Sequence, residues 1–303
     1  ERDVAEVSSV LVIPRLVISA PQGRSGKTTL AIGLAAAFAR RGLGVQPFKK
    51  GPDYIDPSWL GEAAGRACRN LDLFLFSPER LMAGFHAACR GADLALIEGA
   101  HGLFDGLEDD GAANTTAEIA RRLQAPVLLV VDTDRMGGSV AALVKGFRDF
   151  DPGLRVAGVI ANRVGNPRHR SKLAAAISRH TDLPFLGALQ RDPALSIPDR
   201  HLGLVPKAEE DRLLPAIDAA RRAVEDSVDL DAVLELARSA PPLPVSPVPS
   251  REVSSRDIKL GVARDRVFTF YYPENLEALE AAGARLVTVD TLADHSLPDV
   301  DGL

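Results

Sequence analysis

Cysteine is scarce in this 303-residue chain, which has only two, Cys68 and Cys89. Two thiols cannot make a disulfide framework and lack zinc-ligand spacing, so a stapled secreted scaffold is excluded and a reducing compartment is implied. A basic surplus is missing too. With 36 Lys plus Arg against 41 Asp plus Glu and a net charge of −5, no cationic surface is available to displace counterions from nucleic acid or an anionic membrane. Small anionic ligands remain open through local sites. Long apolar runs are also absent: stretches such as Ala125 to Val131 fall far short of the roughly 20 residues a membrane helix needs. The sequence opens Glu1-Arg2-Asp3, with neither a basic segment leading into an apolar core nor an acid-poor amphipathic presequence. The expectation is a soluble, cytoplasmic protein with no nucleic-acid or membrane partner.

What is present is apolar material for about two cores, with 46% hydrophobic residues. From Arg15 onward, short β-branched runs alternate with Ala/Leu/Arg stretches of helical period, which predicts strand–helix units and a parallel sheet covered on both faces. Strands are expected at Leu16–Ser19, Val45–Phe48, Leu94–Ile97, Val127–Val131, Val156–Ile160 and Phe185–Gly187. Helices fit at Thr28–Arg41, Pro78–Arg90, Thr115–Leu123, Val140–Phe147, Arg168–His180, Ala208–Glu225 and Leu230–Ala237. The fold class is α/β, a doubly wound, mainly parallel sheet. Five prolines between Pro241 and Pro249, interleaved with serines, suit an extended solvated linker. This gives a first domain over 15–240, a linker over 241–257, and the opening of a second α/β domain over 258–303.

The strongest chemical signal is Ala20-Pro21-Gln22-Gly23-Arg24-Ser25-Gly26-Lys27-Thr28-Thr29, between a predicted strand and a predicted helix. Its logic is that of a P-loop NTPase. Gly23 and Gly26 let backbone N–H groups turn around phosphate oxygens, Lys27 reaches the β and γ phosphates, and the Thr28 hydroxyl can ligate Mg²⁺. Ser25 and Thr29 complete the nucleotide-binding run. Pro21 stands where the usual pattern has its first glycine, so Gly23 is taken as the working one. The plainer alternative is a glycine turn that caps a helix.

A second carboxylate for the metal is expected where a neighbouring buried strand emerges. Leu94-Ala95-Leu96-Ile97-Glu98 supplies Glu98, with a solvent-facing loop glutamate as the alternative. Asp105, in Gly102-Leu103-Phe104-Asp105-Gly106, shares that edge or simply stabilises a turn. Phe48-Lys49-Lys50-Gly51-Pro52-Asp53-Tyr54-Ile55-Asp56-Pro57 reads as an irregular loop at the ligand-binding edge. Lys49 can neutralise a transferring phosphoryl group there, and Asp53 can hold metal or position a substrate. Lys50 and Asp56 read more simply as surface charges. Asn162, after another buried strand, is as much a turn asparagine as an adenine reader.

Taken together, APQGRSGKTT, QPFKKGPDYIDPSWL, RNLD, IEGAHGLFDG, GVIANRVGNPRH, PDRHLGLVP and FTFYYPENLEALEAAGA resemble the glutamine-dependent a,c-diamide synthases of cobyrinate and hydrogenobyrinate. Their ATPase half is related to dethiobiotin synthetase. The resemblance implies a P-loop ATPase domain followed by a class I glutaminase-like domain, and ATP- and Mg²⁺-dependent amidation of a tetrapyrrole carboxylate through an acyl phosphate. Glutamine or ammonia would be the nitrogen donor, and a homodimer is compatible. It implies phosphate and metal roles for Lys27, Thr28 and Glu98, with Lys49 assisting. Asp53, Tyr54 and Asp105 fall in segments associated with substrate and metal. His201 lies in a family motif without a clear role.

The segment Ala100 to Phe104 departs from the Val-Met and Tyr pattern of cobalamin-pathway members, and Lys-Lys-Gly-Pro-Asp-Tyr resembles siroheme or sirohydrochlorin amidating relatives. That macrocycle is therefore the alternative substrate. Neither cysteine has the context of a glutaminase nucleophile, so a fragment of a longer enzyme is expected. From another class, a nucleotide switch or partitioning protein is the competitor; those often carry a lysine where Gln22 stands here. A dethiobiotin-synthetase-like carboxylase is a third, disfavoured by the linker and tail.

Overall fold

The computed structural model describes residues 10–106, 114–195, 199–200, 203–204, 213–244 and 258–303. After a two-residue strand β1 (Val10–Leu11) come the strands of the main sheet: β2 (Arg15–Ser19), β3 (Val45–Lys50), β4 (Arg69–Leu71), β5 (Leu94–Glu98), β6 (Val127–Asp132), β7 (Val156–Val164) and β8 (Phe185–Gln190). They form a 7-stranded sheet in the order β4-β3-β5-β2-β6-β7-β8, with every neighbouring pair parallel. The doubly wound α/β expectation holds.

Helices α1 (Lys27–Arg40), α2 (Ile55–Ala64), α3 (Pro78–Ala88), α4 (Thr116–Arg122), α5 (Ser139–Asp149), α6 (Pro167–His180), α7 (Leu213–Ser227) and α8 (Leu230–Arg238) cover both faces. Alternate strand residues divide between two cores. Leu16 and Ile18 of β2 face a core that includes residues of α1, α2, α7 and α8, while Val17 faces one that includes residues of α3 to α6. A one-residue slip would exchange these sets, so burial on both faces fixes the register. Starts are set locally: Ser77, Thr115, Asn166 and Asp229 each accept a backbone N–H from the first turn of the following helix.

Two expectations need correction. The segment taken as an irregular loop instead contributes Lys49 and Lys50 to β3 and starts α2 at Ile55. Pro57 suggested a break, but it stands in the first turn, where no backbone N–H is required. The linker also starts later than Pro241. β11 (Leu243–Pro244) pairs antiparallel with β1, and the buried Arg15 side chain donates to the carbonyls of Ile13 at 3.2 Å and Pro241 at 2.6 Å, and also to that of Leu123. Residues 241–244 therefore pack on the first unit, as does Ile13, which precedes the expected boundary. His201 and the expected start of a helix at Ala208 lie outside the described residues.

The short strands β9 (Asp199–Arg200) and β10 (Gly203–Leu204) pair antiparallel. Beyond residue 257, β12 (Ile258–Ala263), α9 (Pro273–Ala281) and β13 (Ala284–Val289) make a parallel β–α–β unit. It meets the main unit through Arg69, which pairs with Glu277 at 2.5 Å and Glu274 at 3.7 Å. No helix among the described residues is long and apolar enough to cross a membrane.

One glycine tests the packing of α1. A Cβ at Gly33 would lie 2.6 Å from both the Ala220 carbonyl oxygen and Val224 Cγ2 of α7. The Gly33→Ala substitution should cost about 1–3 kcal/mol by overpacking, read as a lower midpoint in chemical denaturation; an unchanged midpoint would mean that α7 is not held there.

Candidate active site

The turn from β2 into α1 carries the phosphate-loop sequence at the carboxyl edge of the sheet. Gly26 has φ 90°, which a side chain resists, and a Cβ there would sit 2.0 Å from Asn162 Nδ2. Asn162 donates at 2.9 Å to the Ser25 carbonyl, Ser25 Oγ donates at 2.9 Å to the Gln22 carbonyl, and Lys27 Nζ donates at 3.0 Å to that same carbonyl. Asn162, proposed from sequence as an adenine reader, thus braces the loop from β7. A Cβ at Gly23 would meet nothing within 4 Å, so the steric demand for glycine falls on Gly26. The Thr29 hydroxyl turns instead toward the Leu195 carbonyl, at 3.5 Å.

Sheet register then brings charges together. Lys49 on β3 is the direct neighbour of Glu98 on β5. Lys49 Nζ lies 3.1 Å from Glu98 Oε1 and 2.6 Å from Asp56 Oδ2, and Thr28 Oγ1 donates to Glu98 Oε1 at 2.5 Å. Glu98 is 1% exposed, and among the described residues its Oε2 has no hydrogen-bond partner. Burial pushes the Glu98 carboxyl up to about 7, against the pull of Lys49 and with a further push from Asp56. For Lys49, burial opposes the charge, but Glu98, Asp56 and Asp53 outweigh it and hold the ammonium above its ordinary range. Burial lowers Lys27 to about 8, with Glu98 pulling the other way.

Asp53 is not hydrogen bonded to Thr28 or Glu98. Its Oδ1 accepts from the N–H groups of Ile55 at 2.8 Å and Asp56 at 3.2 Å, which orients the start of α2. Asn70 secures the same turn by donating to the carbonyls of Gly51 and Asp53. Asp105 accepts the Gly102 N–H at 2.7 Å, the turn geometry anticipated as one of its two readings. Tyr54 stacks on Tyr272 and Phe270.

Sequence reasoning missed Asp56, which it set aside as a surface charge. Its position on α2, three residues after the capping Asp53, was the available signal. It also set aside Lys50, which is 6% exposed and whose ammonium is pushed down by burial.

The chemistry of the donor set fits Mg²⁺. Thr28 and Glu98 offer hard oxygens, Glu98 keeps an oxygen unpartnered, and carboxylates outnumber cations around Lys49. Among the described residues no cluster of three or more His, Cys, Asp or Glu could hold a metal.

The protein-family model CbiA, the CobQ/CobB/MinD/ParA nucleotide binding domain, matches residues 16–205, the span containing this loop. The chain belongs to this family. Among relatives of this nucleotide-binding domain, a cobyrinate a,c-diamide synthase of Magnetococcus marinus is 46% identical over 96% of the chain and 63% of that protein. One from Methanosarcina barkeri is 43% identical over 97% of the chain and 62% of that protein. A hydrogenobyrinate a,c-diamide synthase of Streptomyces coelicolor is 42% identical over 95% and 66%. The chain thus spans less than two thirds of the length of these relatives. A solved structure of chloroplast FtsY from Physcomitrella patens aligns with TM-score 0.44 at 18% identity, over 69% of this chain and 65% of that one.

Both cysteines are buried. Burial raises the Cys89 thiol to about 12 and pushes Cys68 well above the ordinary thiol range. Iodoacetamide at pH 8 should therefore leave both unmodified in the native chain and label both in denaturant, read by intact mass; rapid native labelling of either would contradict its burial.

Proposed function

We propose that this chain carries the phosphoryl-transfer half of a tetrapyrrole a,c-diamide synthase, an ATP- and Mg²⁺-dependent carbon–nitrogen ligase acting on cobyrinate or hydrogenobyrinate. The observation that carries this reading is the buried Thr28–Glu98–Lys49–Asp56 array beside a P-loop, in a chain over 40% identical to proteins so named. Residues 13–244 would form the ATPase unit and 258–303 the beginning of a glutaminase-like unit.

A carboxylate is a poor electrophile at neutral pH. In the proposed reaction its oxygen attacks the γ-phosphorus of ATP, the bond to the β–γ bridging oxygen breaks, and ADP leaves with that electron pair. Ammonia then attacks the acyl phosphate carbon, inorganic phosphate departs, and the nitrogen loses a proton to give the amide. Gly23, Ser25, Gly26, Lys27 and Thr29 would bind the phosphates, Lys27 against the β and γ groups, with Asn162 at the adenine side of the loop. Lys49 would offset charge gathering on the transferred group, held in position by Asp56 and Glu98. Thr28 and Glu98 would hold Mg²⁺, with Asp53 nearby. That ion would supply charge neutralisation between the β and γ phosphates. Asp53, Tyr54 and Asp105 would orient the substrate.

Free ammonia, and not glutamine, should support amidation by this chain, because neither buried cysteine suits nucleophilic attack. The assay supplies ATP and Mg²⁺ with cobyrinate, hydrogenobyrinate or sirohydrochlorin and follows the mass increment per amide. Glutamine-supported product, or no amide on any macrocycle, would count against the assignment. Lys27→Ala should abolish ATP turnover. Asp56→Asn should lower the rate by ~100-fold with little change in ATP affinity, since it loosens Lys49 and not the loop.

A further inference from the structure

Aromatic side chains make up only 5% of the chain, yet all three tyrosines, Tyr54, Tyr271 and Tyr272, line one open groove of about 650 Å³ between α2 and residues 264–273. Phe268 and Phe270 join them, 46% and 51% exposed. The rings present flat faces: Tyr54 lies 4.4 Å from Tyr272 at 22° and 5.1 Å from Phe270 at 9°. Arg264 also lines the groove, and among the described residues no hydrogen bond or ion pair engages its guanidinium. Arg66, the other arginine there, is spent on the carbonyls of Ala88, Arg90 and Gly91.

The groove adjoins the charged array. Asp53 lines it and orients the turn that delivers Asp56 to Lys49, and Asn70, another lining residue, is the β4 neighbour of Lys49 on β3. Half-exposed stacked rings, one uncommitted cation and a concave shape in the volume range of small-molecule sites suit a flat ligand with an anionic rim.

We propose that this groove seats the macrocycle: a planar tetrapyrrole polycarboxylate stacks on Phe268 and Phe270, Arg264 takes a peripheral carboxylate, and another carboxylate is thereby directed toward Lys49. This rests on the function proposed above and adds the residues after 258 to the substrate site. Substrate then bridges two units of the chain, so the β12–α9–β13 unit contributes to the synthetase step.

Trp59, the single tryptophan, is buried on α2, the helix that forms one wall, and supplies the readout. Tetrapyrroles absorb where tryptophan emits, so titrating cobyrinate should quench Trp59 fluorescence saturably. Arg264→Ala and Phe268→Ala should each raise Kd about tenfold, a loss of one ordinary charged or stacking contact, while Arg264→Lys keeps most of the affinity. Both are surface changes, and a melting curve for each variant checks folding. Wild-type affinity in both alanine variants overturns the placement while leaving the proposed function standing. No quenching of the wild type by cobyrinate, hydrogenobyrinate or sirohydrochlorin overturns both. Loss of a dimer in light scattering, with the titration unchanged, makes the groove a self-association surface and also overturns the placement.

Discussion

A lysine ammonium with 6% of its side chain exposed loses most of its water, a cost that opposite charge in direct contact offsets. Lys49 has two such partners, Glu98 from the next strand and Asp56 from the following helix. The cost of stripping water from this cation is offset only while β3, β5 and α2 keep their relative positions. The register that buries alternate apolar residues on each sheet face is also the register that sets Lys49 beside Glu98. Packing and charge pairing therefore specify one arrangement, and loosening either exposes an uncompensated charge to an apolar core.

Around that pair, surplus negative charge is itself a functional statement. Two carboxylates on one ammonium, with Glu98 keeping an oxygen unpartnered, leave a deficit of positive charge that an incoming cation would relieve. The loop that follows the adjoining strand brings the opposite charge, since Lys27 stands there with its ammonium on the Gln22 carbonyl. The proposed metal nucleotide would meet both demands together, which would separate this edge from an ordinary buried salt bridge.

Much of this was legible because its signals are local. Gly-Lys-Thr-Thr between a strand and a helix, and Glu98 at the end of four apolar residues, need only a short window to be read. The doubly wound parallel sheet needed no more than the alternation of strands and helices, whereas the order of its strands came only with the structure. What escaped depends on contacts distant in sequence or on context. Asp56 looked like a surface charge because the helix carrying it was hidden by Pro52 and Pro57. Asn162 lies in a strand 137 residues from the carbonyl it holds, and Arg15 reaches 226 residues to Pro241. No periodicity encodes such pairs. The aromatic groove is of the same kind, since its walls are Tyr54 and a segment more than two hundred residues later.

The bond from Asn162 to Ser25 has a kinetic meaning. β7 is separated from β2 by β6, so the loop has its brace only where all three strands stand together. A chain still assembling its sheet has the glycines and the lysine but not the constraint that shapes them, and pairings so distant in sequence form late. Shaping of the nucleotide-binding loop is thereby tied to completion of the fold.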